Sequence, residues 1–217
     1  LKETAVTMNP IFDFLVEPYQ NYNTLDIVLE EVAVLLGLLS VWFAKRDHIA
    51  VYPSGMLSTG IFVYILFQAN LLGDMLINAY FFVMSIYGWY FWTRQKEGIE
   101  LHQINKMNAS EKKWSFYLFM CSLLFVGGLY GLSGKWDSWS APVDSFTTAL
   151  FFVGMWLMAR RKIEHWIFWI VGDVISVPLY FYKGLGLTSI QYLIFTFIAI
   201  LGYIQWKKAY NKELQTA

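Results

Sequence analysis

Seven apolar stretches separated by clusters of charge constrain this chain more than any other feature of its 217 residues. Each is about as long as the 17–25 residues that a helix needs to cross the hydrocarbon core of a bilayer. They run from about Leu25 to Ala44, Ile49 to Leu72, Gly73 to Trp92, Trp114 to Leu132, Ala141 to Ala159, His165 to Tyr182 and Leu187 to Trp206. Lys45-Arg46-Asp47-His48 closes the first, Thr93-Arg94-Gln95-Lys96 the third, Arg160-Arg161-Lys162 the fifth and Lys207-Lys208 the last. In lipid the backbone must satisfy its own polar groups, so these stretches are expected to be helices. The alternation of a β-barrel is absent. The predicted fold is therefore an all-α integral membrane protein with seven transmembrane helices. Composition agrees: 57% of residues are apolar and 15% charged, where soluble domains run about 45–50% apolar and about 25% charged.

The basic residues give the orientation. With the N-terminus outside, thirteen of the sixteen Lys and Arg fall in the cytoplasmic loops and tail, leaving only Lys2, Lys135 and Lys183 elsewhere. The positive-inside rule thus predicts N-out and C-in. Sixteen acidic residues cancel the sixteen basic ones, so nothing suggests a nucleic-acid partner, which would need a basic surface. Residues 1–24 form an N-terminal extracytoplasmic segment without the pattern of a cleaved signal peptide. Within it, Ile11, Phe12, Phe14 and Leu15 could form a short interfacial helix or belong to a disordered tail.

A repeat is hidden in the spans. Ile86-Tyr87-Gly88-Trp89-Tyr90-Phe91-Trp92-Thr93-Arg94 ends the third, and Ile200-Leu201-Gly202-Tyr203-Ile204-Gln205-Trp206-Lys207-Lys208 ends the seventh; Ile, Gly, Trp and a base recur at a shift of 114. The same shift carries Glu30 to Asp144 and Trp42 to Trp156. Two three-helix repeats in the same membrane orientation, residues 25–96 and 141–208, then flank a loop and linker helix at 97–140, with a cytoplasmic tail at 209–217. Parallel repeats of this kind are a transporter architecture, with substrate bound near the midplane at their interface. A seven-helix receptor or sensor has the same span count without needing a repeat. A retinal protein would need a Lys in the last span, and Leu187 to Trp206 has none.

Soluble-enzyme chemistry is not evident. Gly134-Lys135 lacks the Ser or Thr and the upstream Gly of a phosphate-binding loop, so ATP-driven transport by this chain alone is not expected. His48, His102 and His165 are scattered at boundaries and in a loop, which gives no metal set. Cys121, the one cysteine, reads as packing. No cofactor, metal or catalytic residue is expected. Gly127-x-x-x-Gly131 in the linker span permits close helix approach, which is compatible with a homo-oligomer.

Polar residues inside spans are costly, and they usually face a cavity or a partner. Asp173 lies near the middle of the sixth span, five residues before Pro178, which frees the carbonyl of Val174. Together they could present acceptors to a polar or cationic ligand; pairing with a neighbouring helix is the alternative. Gln68, Asn78, Gln191 and Tyr192 could contact ligand or bond between helices. Glu30, Asp144 and Trp166 are gate candidates. Trp169 leads toward Asp173 from one helix face, and Tyr87 and Trp89 share the third span with Asn78. A cationic aromatic ligand would gain about 0.5–2 kcal/mol for each aromatic face it meets.

At these residues the chain resembles the PnuC family of bacterial vitamin transporters. Ile86 through Gln95 is similar to the family's third-helix signature, Trp166-x-x-Trp169-x-x-x-Asp173-Val174-Ile175-Ser176-Val177 to its sixth helix, and Tyr192 through Gly202 to Trp206 to its last. The likeness runs from about Ile27 to Lys208. It implies a nicotinamide riboside transporter of the bacterial inner membrane, built as two same-handed three-helix repeats around a linker like a full-length relative of SWEET sugar transporters. It also implies facilitated diffusion, with cytoplasmic phosphorylation trapping the substrate. Asn is common in the family where Asp173 stands, a departure that bears on charge preference. The riboside suits the inventory, with a pyridinium for Trp and Asp, a carboxamide for Gln or Asn, and hydroxyls for further polar groups. Related vitamins, riboflavin or thiamine, are the alternative substrates.

Overall fold

The protein is described from a computed structural model covering residues 24–68, 72–96, 99–100, 103–134, 136 and 139–216. The interfacial helix considered around Ile11 to Leu15 lies outside the described residues, as do His102 and Lys135. Seven long helices follow in order: α1 (Thr24–Lys45), α2 (Val51–Gln68), α3 (Leu72–Trp92), α4 (Ala109–Leu132), α5 (Ser140–Ala159), α6 (His165–Tyr182) and α7 (Gly186–Thr216). The shortest have 18 residues, about 27 Å at the helical rise, enough to cross the apolar core. Six are long and apolar enough to span a membrane, and α3, with 21 residues, matches the predicted third span. Two differences from the sequence reading concern ends. The helix α7 continues past Lys207-Lys208 to Thr216, because charge stops a helix from entering lipid but does not stop it from being a helix. The α3–α4 loop carries a two-residue antiparallel pair, β1 (Gln95–Lys96) with β2 (Ile99–Glu100).

The repeat is present in the backbone. The spacing of 114 that separates Asp47 from Arg161 carries both ends of α2 onto both ends of α6, the end of α1 onto the end of α5, and the start of α3 onto the start of α7. It also reproduces the turns. After α1, the His48 N–H donates to the Phe43 carbonyl and the Asp47 N–H to the Ala44 carbonyl; after α5, Lys162 bonds Leu157 and Arg161 bonds Met158. Both are Schellman closures. The left-handed residue each requires is not glycine but Asp47 (φ 52°) in one repeat and Arg161 (φ 56°) in the other.

Within each repeat the middle helix packs on both others, α2 on α1 and α3, and α6 on α5 and α7. Between repeats α1 meets α7 and α3 meets α5, while α4 lies against α5. The operation carrying α1 to α5 also carries α7 to α3, so the repeats are related by an approximate two-fold axis. Contacts between equivalent residues can occur only beside such an axis, and two do: Asp47 with Arg161 at 2.9 Å, and Trp92 with Trp206, centroids 5.9 Å apart.

Close packing near the axis relies on glycine. Tyr52 lies on Gly88 and its equivalent Trp166 lies on Gly202, both so closely that a Cβ would collide with the ring. Trp166 and Trp206 meet edge to face (5.9 Å, 85°), Tyr52 and Trp92 likewise (5.1 Å, 90°), and the Trp206 indole N–H donates to the Ala44 carbonyl at 2.9 Å. These rings form a plug at the end of the bundle that carries the basic turns. Gly127 and Gly131 on α4 are covered by Trp136 of the same chain, whose indole N–H donates to the Gly127 carbonyl at 2.9 Å. Trp136 thus lies over the two glycines of that pair.

Candidate functional site

A cavity of about 800 Å³ occupies the interface between the repeats. Its lining follows the repeat: Glu30 and Asp144, Gly37 and Phe151, Gly55 and Trp169, Thr59 and Asp173, and Asn78 and Tyr192 all line it, and each pair is one repeat spacing apart. The cavity therefore sits on the two-fold axis. It reaches Ala44, Val51, Met158 and Trp166 beside the aromatic plug, and at the other end Asp74 and Ser133, which are exposed.

The two walls are unlike. Repeat two contributes a tier of rings from three helices: Trp169 stacks on Phe151 (5.1 Å, 26°), Phe151 on Tyr192 (5.9 Å, 12°) and Tyr192 on Tyr180 (5.0 Å, 20°). Gly154 and Gly172 make room for them, lying under Trp169 and Phe151 respectively. Repeat one places Gly37, Ser40, Gly55, Ser58 and Thr59 at the corresponding level. Their hydroxyls donate to backbone carbonyls, Ser40 to Val51 and Ser58 to Ala33 at 2.7 Å, and Thr59 to Gly55 at 2.8 Å. Each oxygen keeps lone pairs with which to accept from a ligand. An aromatic group is thus offered one face and a hydroxylated group the other.

Asp173 lies on α6 between these walls, 1% exposed, and its Oδ1 has no hydrogen-bond partner among the described residues. The Trp166 indole N–H is likewise buried without one. Buried polar atoms are nearly always satisfied, so these two orphans, both on residues that line the cavity, single out this region as a place for a ligand or water. At the exposed end, Asp144 receives hydrogen bonds from Lys183 (2.8 Å) and from the Tyr130 hydroxyl, which ties α4, α5 and the end of α6 together. Among the described residues four carboxylates line the cavity (Glu30, Asp74, Asp144 and Asp173), and no Lys, Arg or His does. Among the described residues no group of three His, Cys, Asp or Glu is placed to hold a metal.

Of the residues expected at a site, Asn78, Trp169, Asp173, Gln191, Tyr192, Glu30, Asp144 and Trp166 come together around the cavity. Three do not. Gln68 is the exposed last residue of α2. Trp89 is 43% exposed, because the buried seam of α3 runs through Ser85, Gly88 and Trp92 and leaves Trp89 one position to the side. Tyr87 sits at that level too, and its hydroxyl accepts from Arg160 at 3.5 Å. Thr59, Phe151 and Tyr180 were not singled out from sequence. The repeat held the signal for the first two: the shift that relates Asn78 to Tyr192 also relates Asp173 to Thr59, and Phe151 to the small Gly37.

Comparison with known proteins follows from this geometry. The profile of the family described as "Nicotinamide mononucleotide transporter" matches residues 27–208. The nicotinamide riboside transporter PnuC of Escherichia coli K12 is 29% identical over 202 residues, covering 82% of this chain and 84% of that protein. The riboflavin/roseoflavin transporter RibM of Streptomyces davaonensis is 26% identical over 182 residues, covering 81% and 82%. The crystal structure of a vitamin B3 transporter PnuC superposes with a TM-score of 0.60 at 23% identity, covering 85% of this chain and 83% of that one.

Proposed function

The chain belongs to the family described as nicotinamide mononucleotide transporters, and from that premise we propose that it carries nicotinamide riboside, an NAD precursor, by facilitated diffusion with alternating access. The observation that carries this reading is the cavity on the axis between two parallel repeats, where rocking of one repeat against the other exposes a bound molecule to either side. In this reading residues 25–96 and 141–208 are the moving units, and the linker helix within 97–140 joins them.

The ligand's pyridinium ring lies against Trp169, Phe151 and Tyr192 beside Asp173. Its carboxamide bonds Asn78 or Gln191, and its ribose hydroxyls donate to Thr59 and Ser58. Trp166 stands at the closed end of the path, with Glu30 and Asp144 at its mouth. The positive-inside rule puts the basic turns and the C-terminus in the cytoplasm of a bacterial inner membrane, with the N-terminus and the cavity mouth outside. The riboside is preferred to the mononucleotide because a phosphate would meet carboxylates and no base.

Counterflow of labelled substrate in proteoliposomes tests the reading. Exchange of the riboside, with no exchange of the mononucleotide, is expected; equal exchange of both overturns the preference, and binding without exchange would make the protein a receptor or sensor. The similarity to a riboflavin transporter supports a second reading, riboflavin as cargo, and exchange of riboflavin in place of the riboside would establish it.

A further inference from the structure

We infer that the cavity selects a positively charged ligand over a neutral one of the same shape, and that Asp173 is the residue that sets this preference. The inference rests on the proposed riboside cargo and adds the property by which that cargo is recognised. Three observations carry it. The first is charge: among the described residues four carboxylates line the cavity and no basic side chain does. Lys183 approaches only the mouth, where it is spent on Asp144 at 2.8 Å. The second is position. Asp173 is the deepest of the four, 1% exposed and with Oδ1 lacking a hydrogen-bond partner among the described residues, while the other three lie within about two turns of the open ends of their helices. The third is the break in symmetry. The repeat-equivalent position in the same cavity is Thr59, whose hydroxyl already donates to the Gly55 carbonyl at 2.8 Å. Thr59 offers Asp173 no counter-charge, so a cationic ligand would supply it.

A neutral ligand brings Asp173 no counter-charge, and a cation placed against the Trp169 and Tyr192 rings brings one. Carboxylates at the mouth act differently. They lie nearer solvent than Asp173 and attract cations over a distance that salt shortens, whereas a buried contact is screened much less. The two contributions can therefore be separated.

The probe pair is nicotinamide riboside and its reduced 1,4-dihydropyridine form, which keeps the carboxamide and ribose but carries no ring charge. In proteoliposomes, competition against counterflow of the labelled riboside is expected to need at least about tenfold more of the reduced form, and the gap should survive high salt. In Asp173→Asn, which keeps shape and removes charge, the gap should fall to within about twofold. In the double variant Glu30→Gln/Asp74→Asn it should persist at high salt. Equal competition by the two forms in the unaltered protein overturns the inference, whether or not Asp173→Asn folds. A gap that collapses in the mouth variant and survives in Asp173→Asn overturns the assignment to Asp173. If the riboside itself is not exchanged, the proposed cargo fails instead, which is a distinct result.

Discussion

Asp47 and Arg161 occupy the same place in the two repeats, each the left-handed residue closing its turn, and they are bonded to one another across the axis that relates them (Arg161 Nη2 to Oδ2 2.9 Å, Nε to Oδ1 3.2 Å). The same position is an acid in one repeat and a base in the other. The guanidinium also lies over the Trp92 ring at 4.5 Å, so charge and aromatic plug are joined at the closed end.

That end must part if the cavity is to open there. Asp47→Asn keeps a residue that tolerates the left-handed conformation while removing the charge. It is expected to lower stability by about 1–3 kcal/mol, less than a fully buried pair because Asp47 is partly exposed. Thermal melting in detergent measures the loss. Labelling of a cysteine placed at Ala44 from the basic side should rise; unchanged labelling would mean that the pair does not hold this end shut.

Gly202→Ala and Gly88→Ala should each cost about 1–3 kcal/mol, because the added methyl meets the Trp166 or the Tyr52 ring. Gly128→Ala is the control. Nothing lies near a Cβ there, and a helix gains about 0.5–1 kcal/mol from alanine. Melting temperatures falling for the first two and not for the third would establish the contrast.

Phe151→Ala and Trp169→Ala should weaken riboside binding about three- to thirtyfold through loss of ring contact, whereas Gln68→Ala and Trp89→Ala, which lie off the cavity, should change it less than about twofold. Titration calorimetry on purified protein reads both sets.

Glu111 gathers the linker helix onto the turn after α5. Its carboxylate accepts from Arg160 (3.1 and 3.2 Å), Lys162 (2.9 Å) and the N–H of Asn108 (3.0 Å), whose side chain caps the Glu111 N–H in return. Glu111→Gln retains an acceptor for the cap but removes the counter-charge that Arg160 and Lys162 share, at a cost of about 1–3 kcal/mol. Adding Lys162→Met should recover part of that loss, since the two changes share one network. Strictly additive losses on melting would count against a network.

Much of the fold was legible because each crossing segment must hold its own backbone bonds and keep its charges at its ends. Lys45-Arg46 and Arg160-Arg161-Lys162 therefore marked helix ends. The repeat was legible at Gly88 and Gly202 because a ring packed on each leaves no freedom there. Trp89 was misread because period alone places it close to the face of Asn78, while the seam of α3 has shifted to Gly88 and Trp92 by that depth. The hydroxyl-lined wall left little trace in sequence, since Ser40, Ser58 and Thr59 look like ordinary small residues between packed helices. Only the two-fold, which sets Thr59 opposite Asp173, reveals what they border.

The unlike walls give the cavity a grain. Gly37 stands where the other repeat has Phe151, and Gly55 where it has Trp169, so one half of the cavity is a host of rings and the other a cover of small residues. A passenger with one flat end and one hydroxylated end can lie only one way across such a space. Under the proposed alternating access, its flat end would stay berthed against the same three helices while the covering half swings, and the cargo would not have to turn over on its way through.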